Sequence, residues 1–502
     1  MICRSCSAID LEVALSNLLV QDVECNILDS ESNSSHCSQC KELDNLEKSI
    51  ARLEMKRFEL KRNINRTHSR FIRMIPAEII AKISGFTNTH STSLGRFLPS
   101  PILLSSVCSD WRRIVVGTPQ LWSSIMIDTL HMSSTTDRHL AAFIDEYLGR
   151  SGQLPLHISI TCMDEFRDFV GPGEFSGVFK ILHNYSSRWH SLHISYAIIP
   201  CLQPDRLPIL EQLTIELPTR MPDMSGYTLI FPPSPRLKAV EILGNQVKLP
   251  RLFGFGIQWD NVTRLSGEWL NIRGCFKFLR LLPKLVHCQF HNIYLDIDNP
   301  LQSPILSPLT HLSLSCSPMS PGPFLDNIVL PSLKSLVLFH VVSMDPLMAF
   351  LERSACSLHT LSLQRSNIES LDVLTQLLQF LSPSLTKLVI FPTLPNVKYL
   401  SILTKTYTSQ SAGAENDFLP LLENFGYRYS DAPDPDESFE FPALRTRDPK
   451  PTLSPISLRS AYIDVGRVIH EPISQDILSI LQRINEDGIL NTPRASPLNG
   501  LL

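Results

Sequence analysis

The feature that most narrows what this chain can become is a short apolar signature, with leucine or a close substitute at its first, fourth and sixth places, that returns along much of its length. It begins near Trp189, Leu210, Leu237, Val262, Leu285, Leu309, Leu333, Leu358, Leu385, Leu422 and Leu458. Four copies vary little: LTHLSL at 309–314, LKSLVL at 333–338, LHTLSL at 358–363 and LTKLVI at 385–390. The six steps between 237 and 385 average about 25 residues. Within each copy the alternation turns every second side chain of a short strand inward, onto the same positions of the next copy. One copy buries too little to fold alone. A stack of copies has a core that grows along one axis, which suits a chain of 502 residues better than a single oversized core.

A period of this size is that of a leucine-rich repeat. The expected fold is therefore α/β: an irregular leucine-rich-repeat-like solenoid over 189–470, preceded by a linking α/β segment at 126–188. His311, Ser313 and Ser315 would face outward on a concave wall of parallel strands, the natural binding surface. The Asn or Cys that serves the turn of a regular repeat occurs once, as Asn245, which predicts an irregular arc. The last intervals lengthen to 37 and 36 residues, and the acidic, Pro-rich stretch 431–456 predicts a mobile loop. Beyond it, Ser474 can cap a helix with Ile477, Ile480, Leu481 and Ile484 on one side and Gly488 as its stop. That predicts a capping helix over 471–488 and a disordered tail over 489–502.

The N-terminal part follows other rules. Residues 1–40 lack sustained periodicity and read as a flexible leader. Leu43, Leu46, Ile50, Leu53, Leu60, Ile64 and Phe71 then alternate steps of three and four, with Arg57 and Thr67 off the pattern, a heptad seam on one helix over 41–72. Ten Lys or Arg against five Asp or Glu make 41–73 basic, which reads first as a solvated helix face rather than a nucleic-acid arm.

Next comes RMIPAEIIAKISGF, with Pro76 at a first helical position, Glu78 in the first turn, and Ile79, Ile80, Ile83 and Phe86 on one face. A polar loop leads to SPILLSSVCSDWRRIVVGTPQLWSSI, where Leu103, Val107, Trp111, Ile114 and Val115 keep helical spacing until Pro119. IPAEII followed by VCSDWRRIVVGTPQLW resembles the F-box, in the form common among mushroom-forming fungi, where a basic coiled-coil helix leads into these motifs in this order. Ile75 stands where that family usually has Leu, and the Ser- and Thr-rich insertion around 87–93 departs from it. The resemblance implies an F-box over 73–125 that docks a Skp-type adaptor and, through it, a cullin-RING ubiquitin ligase. The contact would fall on Ile75, Pro76, Glu78, Ile79, Ile80, Ile83 and Phe86, with Val107, Cys108, Trp111, Leu121 and Trp122. Of the two tryptophans, Trp111 reads as core, while Trp122 suits core and docking surface equally.

The implied role is a non-catalytic substrate receptor whose repeats hold a protein substrate. A non-degradative scaffold, in which the coiled coil sets assembly, is the first rival. A zinc- or nucleic-acid-binding protein is the second, because Cys3 with Cys6 and Cys37 with Cys40 form two C-x-x-C pairs. The 30 residues between the pairs exceed a usual zinc-ribbon spacing, so no metal or other cofactor is expected. There is no G-x-S-x-G, H-E-x-x-H or Walker loop, and GFGIQW at 254–259 lacks the third glycine of a dinucleotide fingerprint. A formal charge of −4 gives no overall basic field for nucleic acid or anionic membrane. No secretory signal or membrane span is legible, which points to the cytoplasm or nucleus, where the 12 cysteines would stay reduced.

Overall fold

The fold comes from a computed structural model that describes residues 38–68, 79, 93–94, 100–107, 109–129, 134–162, 176–201, 204–217, 231–244, 256–294, 305–316, 320–366, 368, 370–393, 397–412, 418–429, 458–464, 473–492 and 498. The chain divides into two compact units, residues 1–90 with 99–121, and residues 91–98 with 122–502.

In the first unit the heptad stretch forms one helix, α1 (Ser38–His68), of 31 residues and about 46 Å. Helices α2 (Ser100–Val107) and α3 (Ser109–Val116) follow, joined where Arg112 Nε donates to the Ser105 carbonyl at 3.0 Å. Thr118 Oγ1 donates to the Ile114 carbonyl at 2.7 Å and closes α3 ahead of the turn Pro119–Trp122. Val115 and Leu121 are buried here.

The second unit is built on a parallel sheet. Its strands are β1 (Ser93–Leu94), β2 (Ser124–Asp128), β3 (Leu156–Thr161), β4 (Trp189–Ser195), β5 (Gln212–Leu217), β6 (Ala239–Gly244), β7 (Arg264–Glu268) and β8 (His287–Ile293), then β10 (His311–Cys316), β12 (Ser335–Phe339), β13 (Thr360–Ser366), β14 (Lys387–Pro392), β15 (Asn424–Arg428), β16 (Ser460–Asp464) and β17 (Leu490–Asn491). These 15 strands lie side by side in chain order. Every described pairing is parallel. A separate two-stranded ladder joins β9 (Ile305–Leu306) to β11 (Ile328–Val329). An all-parallel sheet whose strands alternate with crossover segments is consistent with a leucine-rich-repeat-like solenoid.

The register explains the spacing of the repeat. Val240, Leu265, Cys288, Leu312, Leu336, Leu361 and Leu388 align as one inward row. Ile242, Gly267, Phe290, Leu314, Leu338, Leu363 and Ile390 align as the next. The opening apolar residue of each copy, usually two places before its strand, makes a third layer, 0% exposed at all of them except Leu458, at 3%. The crossovers carry α4 (Ser134–Gly149), α5 (Ser176–Asn184), α6 (Ile272–Leu281), α7 (Gly322–Leu325), α8 (Asp345–Ser354), α9 (Leu371–Leu381) and α10 (Leu400–Ala412). In α9 the spacing of Leu374, Leu377, Leu378 and Leu381 gives one buried stripe, and Ser370 caps its start by accepting from the Asp372 amide. These buried stripes and the inward rows together form the core.

The sheet extends past the boundaries expected for it. Strands β2 and β3 lie in the stretch expected as F-box end and linker, because isoleucines fill the inward places of SIMID and LHISIT and the leucine signature is missing. After α11 (Gln475–Glu486), capped by Ser474 and followed by Gly488 at φ +75, strand β17 pairs with β16 where a tail was expected.

Asn245 and the acidic stretch 431–456 lie outside the described residues. The irregularity is visible in backbone angles instead. Trp269, Asn292, His340 and Arg365 adopt φ of +54, +53, +58 and +47 at or near the ends of β7, β8, β12 and β13. Left-handed backbone thus turns the chain out of several strands, with a different side chain each time. No helix among the described residues is long and apolar enough to cross a membrane.

Candidate functional site

A strand that sends every second residue into the core presents the residues between them on the opposite face, in rows one strand spacing (about 4.8 Å) apart. On the early strands these rows are polar. His157, Ser191, Gln212, Arg264, His287 and His311 occupy equivalent outward places, with the small Ala239 between Gln212 and Arg264. On later strands the His311 row stays polar as Ser335, Thr360 and Lys387, the next row runs Val337, Ser362 and Val389 with the last two buried, and the Arg428 guanidinium lies 5.6 Å from the centre of the Phe391 ring.

The early part of this face contains a depression of about 410 Å³ across β5–β8. Gln212, Thr214, Glu241, Arg264, His287 and Gln289 are among its lining residues. Thr214 Oγ1 donates to Glu241 Oε2 at 3.0 Å, fixing that carboxylate on the wall. One strand earlier, Ser195 Oγ donates to Glu216 Oε2 at 3.0 Å, with His193 Nε2 3.8 Å from the same carboxylate oxygen. The depression therefore offers the anchored Glu241 carboxylate on one side and the Arg264 guanidinium with the His287 imidazole on the other.

His287 stacks on His311 with ring centres 4.1 Å apart. Partial burial, then the charge of His311 and of Arg264, hold the His287 pKa below its ordinary 6.5. Burial and then Lys334 do the same to His311. At the rim, Lys238 Nζ donates to Glu211 Oε1 at 2.9 Å, the main cause of a lowered Glu211 pKa. Such a face recognises by hydrogen bonds and charge. Among the described residues no group of three or more His, Cys, Asp or Glu is placed to hold a metal ion.

The residues expected to dock an adaptor divide into three groups. Ile75, Pro76, Glu78, Ile80, Ile83, Phe86 and Cys108 lie outside the described residues, as do Cys3, Cys6 and Cys37, while Cys40 falls in the first turn of α1. Ile79 and Val107 are 44% and 40% exposed, as are Leu103 and Val116 to similar extent, and Trp111 is half-buried. Leu121 and Trp122 are buried at 2% and 1%, so Leu121 does not offer the docking surface expected of it, and Trp122 takes the core side of its two readings. The Leu121 amide donates to the Thr118 carbonyl at 3.1 Å, which turns the residue inward. Trp122 instead meets Tyr147 edge-on at 5.0 Å beneath the Arg150 guanidinium at 4.6 Å, and so covers the first strands of the sheet.

The depression was missed by sequence reasoning. Its residues occupy alternate places that periodicity marks as outward, but only the register brings Gln212, Glu241, Arg264 and His287 side by side. Compared with known proteins, the sequence matches no protein-family model and none of the curated proteins.

Proposed function

We propose that the chain is the substrate receptor of a Skp-type, cullin-RING ubiquitin ligase, with no bond chemistry of its own. The observation that carries this reading is the order of IPAEII, VCSDWRR and TPQLW within residues 75–122. Support comes from the first unit, where Ile79, Leu103, Val107 and Val116 stay exposed although Val115 beside them is fully buried. A small helical unit with so much exposed apolar surface suits a docking module. The outward face around the depression on β5–β8 would hold a protein substrate, and rate enhancement would come from raised effective concentration beside the conjugating enzyme.

The test is capture of the Skp-type adaptor by the full-length chain, comparing wild type with a Pro76→Ala, Ile79→Asp variant. Adaptor bound by wild type and lost by the folded variant is the expected result. A folded wild-type chain that fails to bind removes the ligase reading.

A further inference from the structure

Helix α1 carries its apolar seam in the open: Leu43, Leu46, Ile50, Leu53, Leu60 and Ile64 are between 39% and 67% exposed. Four charged residues flank or interrupt that seam. Glu47, Glu54 and Lys61 occupy the heptad place next to the leucine row, and Arg57 interrupts the seam itself. None of the four side chains makes an ion pair or hydrogen bond among the described residues, whereas Lys48 and Asp44, away from the seam, pair with each other at 2.6 Å. Acidic residues lie toward the start of this stripe and basic ones toward its end.

That polarity selects one geometry. In a parallel, in-register pair, Arg57 would meet its own copy in the core, Glu42 would flank the partner's Glu47, and Lys56 the partner's Lys61, all of like charge. Reversing one helix removes these conflicts. With Ile50 opposite the partner's Leu60 and Leu46 opposite the partner's Ile64, the register places Glu47 beside the partner's Lys61 and Glu54 beside the partner's Arg57. Two-fold symmetry repeats both pairs, giving four ion pairs along one flank. The Arg57 stem covers the partner's Leu53 while its guanidinium reaches the acidic neighbour. Two like pairs remain at the two-fold axis: Glu54 against the partner's Glu54, which Arg57 of each chain neutralises, and Lys56 against the partner's Lys56 on the other flank, where solvent screens it. Opposed helix dipoles favour the same arrangement.

We infer that α1 is a self-pairing element in which two copies of this chain associate through an antiparallel coiled coil. The two helices then leave the pair in opposite directions, with exits roughly 40 Å apart. This inference does not depend on the receptor reading, since it needs no adaptor.

Light scattering on the full-length chain, with charge-reversed variants, tests it. Wild type is expected at twice 56.6 kDa at micromolar concentration. Glu47→Lys with Glu54→Lys, or Arg57→Glu with Lys61→Glu, makes all four pairs repulsive, so each variant alone should self-associate at least about tenfold more weakly. An equimolar mixture of the two variants restores attraction at every pair and should regain the double mass, which also shows that neither variant failed to fold. A wild type of single-chain mass overturns the inference. So does tighter association of the lysine variant, because Glu47→Lys relieves the repulsion from the partner's Glu42 only in a parallel pair, and so does a mixture that stays single-chain.

Discussion

Replacing Gln410 with methionine should loosen the last two strands of the sheet and leave the middle of it untouched. Gln410 lies in α10, only 5% exposed. Its Nε2 donates to the Leu419 carbonyl at 2.9 Å and the Leu422 carbonyl at 3.3 Å, and its Oε1 accepts from the Leu458 amide at 3.0 Å. Leu422 and Leu458 open the two repeats reached by the longest intervals, so one amide ties together backbone that short crossovers hold elsewhere. The Leu419 carbonyl keeps a second donor, the Leu422 amide at 3.1 Å. Methionine preserves length and removes these three bonds together with a longer one from Nε2 to the Pro420 carbonyl at 3.4 Å, leaving the Leu458 N–H and Leu422 carbonyl dry. A net loss of about 1 kcal/mol for each of the three shorter bonds comes to about 3 kcal/mol, before any desolvation cost of those two groups. That is roughly a hundredfold in a local opening equilibrium. Hydrogen exchange should show amides of β16 and β17 exchanging about that much faster in Gln410→Met, with β10–β13 unchanged, because repeats couple mainly to their neighbours. Unchanged protection in β16, or equal loss in every strand, would refute the assignment of Gln410 as a staple.

Three further outcomes follow from local geometry. His287 and His311 have folded pKa values held below 6.5, so the unfolded chain binds protons first as pH falls; their contribution to stability is intact above 6.5 and lost in the window beneath it. Melting temperatures from about pH 7.5 to about pH 5 should fall less steeply in His287→Gln, His311→Gln than in wild type, and parallel slopes would count against the stack. Gly244→Ala must bear φ +153 and a new Cβ 2.5 Å from Leu217 Cβ and 2.9 Å from its carbonyl oxygen; a loss of about 1–3 kcal/mol in urea unfolding is expected. Trp122→Ala should cost about 3–5 kcal/mol as a buried aromatic yet leave adaptor capture intact when the chain is folded, and selective loss of capture would return Trp122 to the docking surface.

The repeat was legible because inward leucines recur at a fixed period, and every residue from which a copy was expected to start is buried. The heptad seam of α1 was legible for the same reason, since periodicity reports a face. Strands β2 and β3 were not, because isoleucine at their inward places satisfies the packing without the leucine signature. The side of Trp122 was open because a tryptophan beside a module boundary suits either a core or a surface, and only its contacts with Tyr147 and Arg150 decide. Gln410 gave no signal at all: a lone polar residue on a helix looks solvated until the backbone it serves, at Leu422 and Leu458, is brought to it by tertiary packing.

The two ends of the sheet have a consequence for how the protein lives in a crowded solution. Among the described residues the fifteen-strand sheet ends on two short margins, Ser93–Leu94 at one and Leu490–Asn491 at the other. A long bare margin is a template on which another chain can add strands and begin a fibre. Margins of two described residues offer such growth few backbone groups, so a very wide sheet need not carry a correspondingly long template.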